Sequence, residues 1–182
     1  RKYSGICAAP DGRLYCAPCN ATTVLVIEPE TRCLSFIEGA GEGGRKYSGI
    51  CAAPDGRLYC APCNATTVLV IEPETRCLSF IEGAGAGGMK YSGICAGPDG
   101  LLYCAPFDAS SVLVVDPWTR NLTFIEGAGE GGNKYDGICA GPDGLLYCAP
   151  RNASSVLVID PGASTLSFID GAGEGGNQYH GI

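Results

Sequence analysis

The chain has 182 residues and a net charge of −7, with 28 glycines and 12 cysteines. The length fits one domain or a short repeat array, and the charge argues against nucleic acid, whose phosphates need a concentrated basic face. No apolar run approaches the roughly 18–20 residues of a membrane span, and the periodic spacing of the glycines argues against disorder.

From the start of the chain, "KYSGICAA" is an extended, apolar stretch rich in small residues and is expected to be a strand. "PDG" at Pro10–Gly12 is a turn signal, because Pro presets the first position and Gly takes the left-handed one. "RLYCAP" is a second strand, and "CNATT" a polar turn. "VLVIEP" is a third strand, apolar on both faces at Val24–Ile27, and should be covered on both sides. After "PETR", the stretch "CLSFIEG" is a fourth strand. Short turns between successive strands make them antiparallel.

The same pattern then returns three more times. Units 1–44, 45–88, 89–132 and 133–176 are versions of one sequence, and the tail 177–182 begins a fifth. The first two units differ only at Glu42 and Ala86. A fixed period of this kind marks a repeat architecture. A small four-stranded antiparallel sheet in each unit predicts an all-β fold, a β-propeller built of four-stranded blades. A parallel β-helix is the runner-up, but hairpin turns do not join its strands. The chain starts without Met and stops within a repeat, so an excerpt is expected rather than a complete natural chain.

The blade carries Gly5-Ile6, Asp11-Gly12-Arg13-Leu14-Tyr15, Asn20 and Val24-Leu25-Val26-Ile27-Glu28-Pro29. This pattern resembles the blades of NHL-type and related propellers, and Asp116-Pro117 and Asp160-Pro161 sit closer to it than Glu28-Pro29 does. The resemblance spans all four units. It implies a propeller, and no particular partner.

"GAGEGG" at Gly39–Gly44 matches the dinucleotide fingerprint G-x-G-x-x-G. The next stretch, however, is a strand rather than the helix whose N-terminus would hold a pyrophosphate. The loop is instead expected to be a flexible crossover from the outer strand of one blade to the inner strand of the next. No catalytic residue, cofactor or metal site is expected. The only histidine is His180, in the tail, and the inner strand carries an acid only at Asp136. The turn acids Asp11, Asp55, Asp99 and Asp143 are explained by the turn itself.

Each unit has a cysteine in its first strand and another in its second. A two-residue turn would set Cys7 opposite Cys16. A type I turn over Pro10-Asp11 with Gly12 as a bulge sets Cys7 opposite Tyr15, and Pro10 favours this second register. Buried free thiols are therefore expected. Cys19 and Cys33, with Cys63 and Cys77, vanish in later units and are expected to be exposed. Frequent cysteine suits an intracellular, reducing compartment. In a secreted chain, the sequons at Asn20, Asn64, Asn121 and Asn152 would be glycan acceptors.

The pairs Lys46-Tyr47, Lys90-Tyr91 and Lys134-Tyr135 start inner strands and are expected to ring one mouth of the channel. They are the candidate rim for a protein or glycan, although Glu42, Glu130 and Glu174 offset their charge. Other differences between units collect at the equivalents of residues 1, 4, 13, 19, 30 and 33. Two functions compete. One is a non-enzymatic scaffold that self-associates, as two chains completing an eight-bladed ring or as a longer array. The other is a binding module using its rim loops, and an engineered or recently amplified propeller with no dedicated ligand is a further alternative.

Overall fold

The structure, a computed structural model, describes residues 1–173. The tail that begins a fifth unit, with His180, lies outside the described residues, as does Glu174. Four sheets are formed, each within one sequence unit and each with its strands in chain order. The first contains β1 (Tyr3–Ala8), β2 (Leu14–Pro18), β3 (Val24–Glu28) and β4 (Cys33–Ile37). The second contains β5 (Tyr47–Ala52), β6 (Leu58–Pro62), β7 (Thr67–Glu72) and β8 (Cys77–Glu82). The third contains β9 (Tyr91–Ala96), β10 (Leu102–Pro106), β11 (Ser111–Val115) and β12 (Leu122–Glu126). The fourth contains β13 (Tyr135–Ala140), β14 (Leu146–Pro150), β15 (Ser155–Asp160) and β16 (Thr165–Asp170). No helix occurs among the described residues.

The Pro-Asp-Gly turn sets the register of every first hairpin. Gly12 N donates to Ala9 O at 3.0 Å, and Gly12 itself has φ 81°. This is a type I turn followed by a left-handed glycine. Cys7 therefore pairs with Tyr15 and Ile6 with Cys16. Tyr15 leans back over the turn, and its hydroxyl donates to Asp11 Oδ2 at 2.7 Å. Tyr59 and Tyr103 repeat the bond to Asp55 and Asp99, also at 2.7 Å.

These phenols give the fold an alkaline limit. Burial first, then the bond to Asp11, raises the Tyr15 pKa from 10.0 to about 12, and burial raises Tyr91 to about 12. A folded pKa above the unfolded one gives stability that is full below pH ~10 and is lost as pH rises toward 12. Circular dichroism should therefore show unfolding in that window, with tyrosinate absorbance rising alongside it. Full ionisation of the tyrosines in a still-folded chain would contradict this reading.

The blades stack through their faces. β1 lies beside β5, β5 beside β9, and β9 beside β13, so these are the inner strands. A bulge near the start of each lets the backbones approach closely. It is built on a glycine: Gly5, Gly49, Gly93 and Gly137 have φ of 91°, 99°, 97° and 105°.

Each interior interface uses the same residues. The trailing face of the first blade offers Tyr15, Val24, Val26 and Ile37 to Tyr47, Ile50, Leu58 and Leu69 on the leading face of the second. Ala40, in the glycine-rich loop, is 1% exposed and plugs the same interface, and its N–H donates to Thr22 O at 2.9 Å. The crossover is thus pinned rather than free, which corrects the expectation of a flexible loop. At the rear, the Arg76 guanidinium reaches Ser35 Oγ at 3.1 Å, and Arg120 reaches Ser79 Oγ at 3.2 Å.

At the two ends of the stack these faces are uncovered. Ile6 is 56% exposed where Ile50 is 8%, and Ile169 is 53% exposed where Ile37 is 7%. The described residues form an arc of blades rather than a closed ring.

Candidate functional site at the channel mouth

The lysine–tyrosine pairs do not form an exposed ring. Lys46, Lys90 and Lys134 are 5–7% exposed, and Tyr47, Tyr91 and Tyr135 are equally buried. Each ammonium reaches across to the preceding blade. Lys46 Nζ donates to Ala21 O at 2.7 Å, Lys90 Nζ to Ala65 O at 2.8 Å and Lys134 Nζ to Ala109 O at 2.8 Å. Bonds to Gly43 O, Gly87 O and Gly131 O tie in the crossover as well. Burial lowers the pKa of all three ammonium groups, Lys46, Lys90 and Lys134. The exposed member is Lys2, which has no neighbouring blade on that side among the described residues. The tyrosines sit in the interfaces, with Tyr47 OH 3.2 Å from Thr67 Oγ1.

The sequon asparagines split by position. Asn20 Oδ1 accepts from Arg45 N at 2.8 Å, and Asn64 Oδ1 accepts from Met89 N at 2.7 Å. Asp108 does the same for Asn133 N at 2.7 Å. The residues so held have φ of 51°, 53° and 55°, in the left-handed region, so this side chain fixes the end of each of the three crossovers among the described residues. Asn64 Nδ2 also donates to Gly44 O at 2.9 Å, and Asn152 Nδ2 to Gly132 O at 3.5 Å. Asn121 lies instead in the turn before β12 and is exposed.

Cys19 and Cys63 are buried, contrary to expectation, while Cys33 and Cys77 are exposed as expected. The reason is the next unit. Lys46 N donates to Cys19 O at 2.9 Å, which folds the start of the second unit over the end of β2. Burial raises the pKa of the Cys63 thiol.

A line of side chains crosses the inner strands at the same mouth. Ser4 Oγ lies 3.3 Å from Ser48 Oγ, and Ser48 Oγ lies 3.3 Å from Ser92 Oγ. Ser92 then donates to Asp136 Oδ1 at 2.6 Å. The carboxylate can only accept, so it orients the chain: Ser92 accepts from Ser48, and Ser48 from Ser4. Asp136 also pairs with Arg151 at 3.5 Å.

Above this line lies a cavity of about 410 Å³. Its wall includes Arg1, Arg45 and Met89 from the first repeat position, and Cys19, Cys63, Phe107 and Arg151 from the nineteenth. Ser48, Ser92 and Asp136 come from the fourth. In the sequence these positions vary between units but stand far apart. The signal was present, yet only the stacking of the blades turns three separate columns into one wall. The equivalents of Arg13 lie elsewhere: Arg13 pairs with Asp11 and Glu28, each at 3.2 Å, beside the hairpin turn.

No group of three or more His, Cys, Asp or Glu among the described residues could hold a metal. The acids of the turns are held by tyrosine hydroxyls and by backbone N–H groups, such as Arg13 N on Asp11 Oδ1 at 3.0 Å.

No protein-family model matches the chain, and no curated protein matches it. Solved structures do. A streptogramin B lyase superposes with a TM-score of 0.82 at 16% identity, over 99% of this chain and 58% of that one. A virginiamycin B lyase from Staphylococcus aureus gives 0.79 at 13% identity, over 93% of this chain and 55% of that one. The periplasmic gluconolactonase of Pseudomonas aeruginosa gives 0.67 at 21% identity, over 95% and 55%. The chain thus spans little more than half the length of these structures. Such identities speak for the fold alone, and the fold agrees with the four sheets, their chain-order topology and the sequence repeat. The chain is an all-β propeller repeat protein.

Proposed function

We propose that the chain is a non-enzymatic propeller module that completes its ring by joining a second copy head to tail, as an eight-bladed scaffold. One observation carries this reading. The uncovered faces at the two ends of the arc are the two halves of the interface that recurs between its blades. Ile6 and Leu34, 56% and 60% exposed, stand where Ile50 and Leu78 pack on a neighbour. Tyr147, Val156 and Ile169 stand where Tyr15, Val24 and Ile37 are buried.

Apolar faces of this kind drive association. Each is already complementary to the other, because the repeat is the same. Two arcs joined at both seams have closed two-fold symmetry, and eight blades fall within the range of roughly four to eight seen in propellers. The similarity to lyases and a lactonase leaves catalysis as the competing class. In support of a scaffold, the described turn acids are engaged in holding hairpins.

Sedimentation velocity at low micromolar concentration tests the reading. A compact species of twice the 18.7 kDa chain mass is expected. Ile6→Asp combined with Ile169→Asp should return a monomer with unchanged circular dichroism, since both side chains are exposed within one chain. A wild-type chain that remains a compact monomer would overturn the proposal, and an open-ended polymer would overturn its closed form.

A further inference from the structure

The first two blade interfaces are closed at the rear by an arginine. Arg76 Nη2 donates to Ser35 Oγ at 3.1 Å and to Phe36 O at 3.4 Å. Arg120 Nη2 donates to Ser79 Oγ at 3.2 Å and to Phe80 O at 3.4 Å. The third interface breaks the pattern, because Ser164 stands where these arginines stand. Its φ is 52°, beside 56° for Arg76 and 59° for Arg120. The backbone is therefore the same, and only the side chain is cut short.

A cleft of about 420 Å³ lies open at that place, between the third and fourth blades. Thr123 and Phe124, the counterparts of Ser79 and Phe80, line it together with Ser164. The two acceptors that hold a guanidinium at the other interfaces, a hydroxyl and a phenylalanine carbonyl, are present here without one. Ser79 is half-buried beside Arg120, whereas Thr123 is exposed. Ile37 and Ile81 are buried, whereas Ile125 is only half-buried. No lysine or arginine lines the cleft, and Leu101 stands where Arg57 stands one blade earlier. Glu126 adds a carboxylate to the wall, and Leu101 and Val114 add apolar surface.

We propose that this cleft binds the arginine side chain of a peptide. The guanidinium takes the Thr123 hydroxyl and the Phe124 carbonyl, as Arg120 takes Ser79 and Phe80 one interface earlier. Its methylene stem lies along Leu101 and Val114, as long cationic side chains lie on apolar surface. A guanidinium suits these acceptors better than an ammonium, because its N–H groups are held in one plane in fixed directions. Glu126 and the net charge of −7 favour a cation and oppose a free α-carboxylate, so an arginine within a peptide fits better than the free amino acid. The volume of about 420 Å³ falls among small-ligand sites, which span roughly 300–1,000 Å³. The site lies within one chain and does not depend on ring closure.

Titration of the whole chain with acetyl-arginine methylamide, a mimic of an arginine within a peptide, tests this. The amide NMR signals of Thr123, Phe124, Ile125 and Glu126 report the site. One saturable site per chain is expected. The citrulline analogue, which has the same shape and no charge, should bind about tenfold more weakly. The lysine analogue and free arginine should bind several-fold more weakly. Thr123→Val should weaken the arginine mimic several-fold, because one acceptor is lost. Ser164→Arg should abolish binding, since the new side chain occupies the cleft, and should raise the melting temperature by about 2–4 °C. Equal affinity for the arginine mimic and either analogue, or no saturable shift, would overturn the proposal. So would a Ser164→Arg variant that still binds or melts no later. Free arginine binding as tightly as the mimic would overturn the peptide as its source. Sedimentation of the same variants separates failure of this site from failure of ring closure, because neither substitution lies on the joining faces.

Discussion

Gly49→Ala is expected to destabilise the arc by about 3–5 kcal/mol, more than any surface change in the chain. Gly49 has φ 99°, and a Cβ built on it would lie 2.9 Å from Gly93 Cα and 3.3 Å from Gly93 N and C. Those atoms are backbone and cannot swing away. The substitution therefore adds left-handed strain of roughly 1–3 kcal/mol to a collision that is relieved only by parting β5 from β9. Parting them opens the interface that buries Ile94 and Leu102. Gly41→Ala is the control. It has φ 80° but nothing within 4 Å of its Cβ, so only the backbone term remains, about 1–2 kcal/mol. Urea midpoints of the two variants should differ clearly. Equal midpoints would mean that the inner strands do not approach as described.

The second large effect is expected at Lys90. Its ammonium donates to Cys63 O at 3.2 Å, Ala65 O at 2.8 Å and Gly87 O at 3.2 Å. Lys90→Met keeps the unbranched stem, one atom shorter, and removes every donor. The carbonyls lose charge-assisted bonds in a place that water barely reaches, which should cost about 3 kcal/mol. Burial lowers the Lys90 pKa, which shows the opposing cost of bringing the ammonium there. Calorimetric melting of Lys90→Met against wild type measures the balance, and an unchanged melting temperature would mean the bonds only offset that cost. Lys2→Met separates fold from assembly. Lys2 is exposed within one chain, so the variant should fold normally. If two arcs close as proposed, it should weaken their association, because Lys2 would then reach the trailing blade of the second copy.

Much of the blade was legible because its signals are local. Pro10-Asp11-Gly12 admits a type I turn with a left-handed glycine, and that alone placed Cys7 opposite Tyr15 rather than Cys16. The double-sided apolar run at Val24–Ile27 announced a strand with a neighbour on each face. Leu69 and Ile71, at 0% exposed, realise that in the second blade. What failed was the inference of exposure at those strand ends that an adjacent blade covers, while Cys33 and Cys77 at the start of outer strands are exposed as expected. Lys46 and Tyr47 read as rim residues, since a lysine before a strand is normally solvated. Cys19 read as exposed, since it varies between units. Both are covered by an adjacent blade, a contact between residues far apart in the chain that no local pattern encodes.

The sequence by itself determined the repeat, the four strands of each unit, their antiparallel order and the hairpin register. All of these follow from side-chain period and turn chemistry within one unit of the chain. Only the tertiary structure decided which face of each strand meets which neighbour. It decided that the lysines staple blades instead of ringing the channel, and that the two end faces of the arc stay uncovered. It also gathered the variable positions into one wall. The reason is that wedge packing of sheets depends on long-range contact between units, and nearly identical units carry almost the same local signal wherever they stand in the stack.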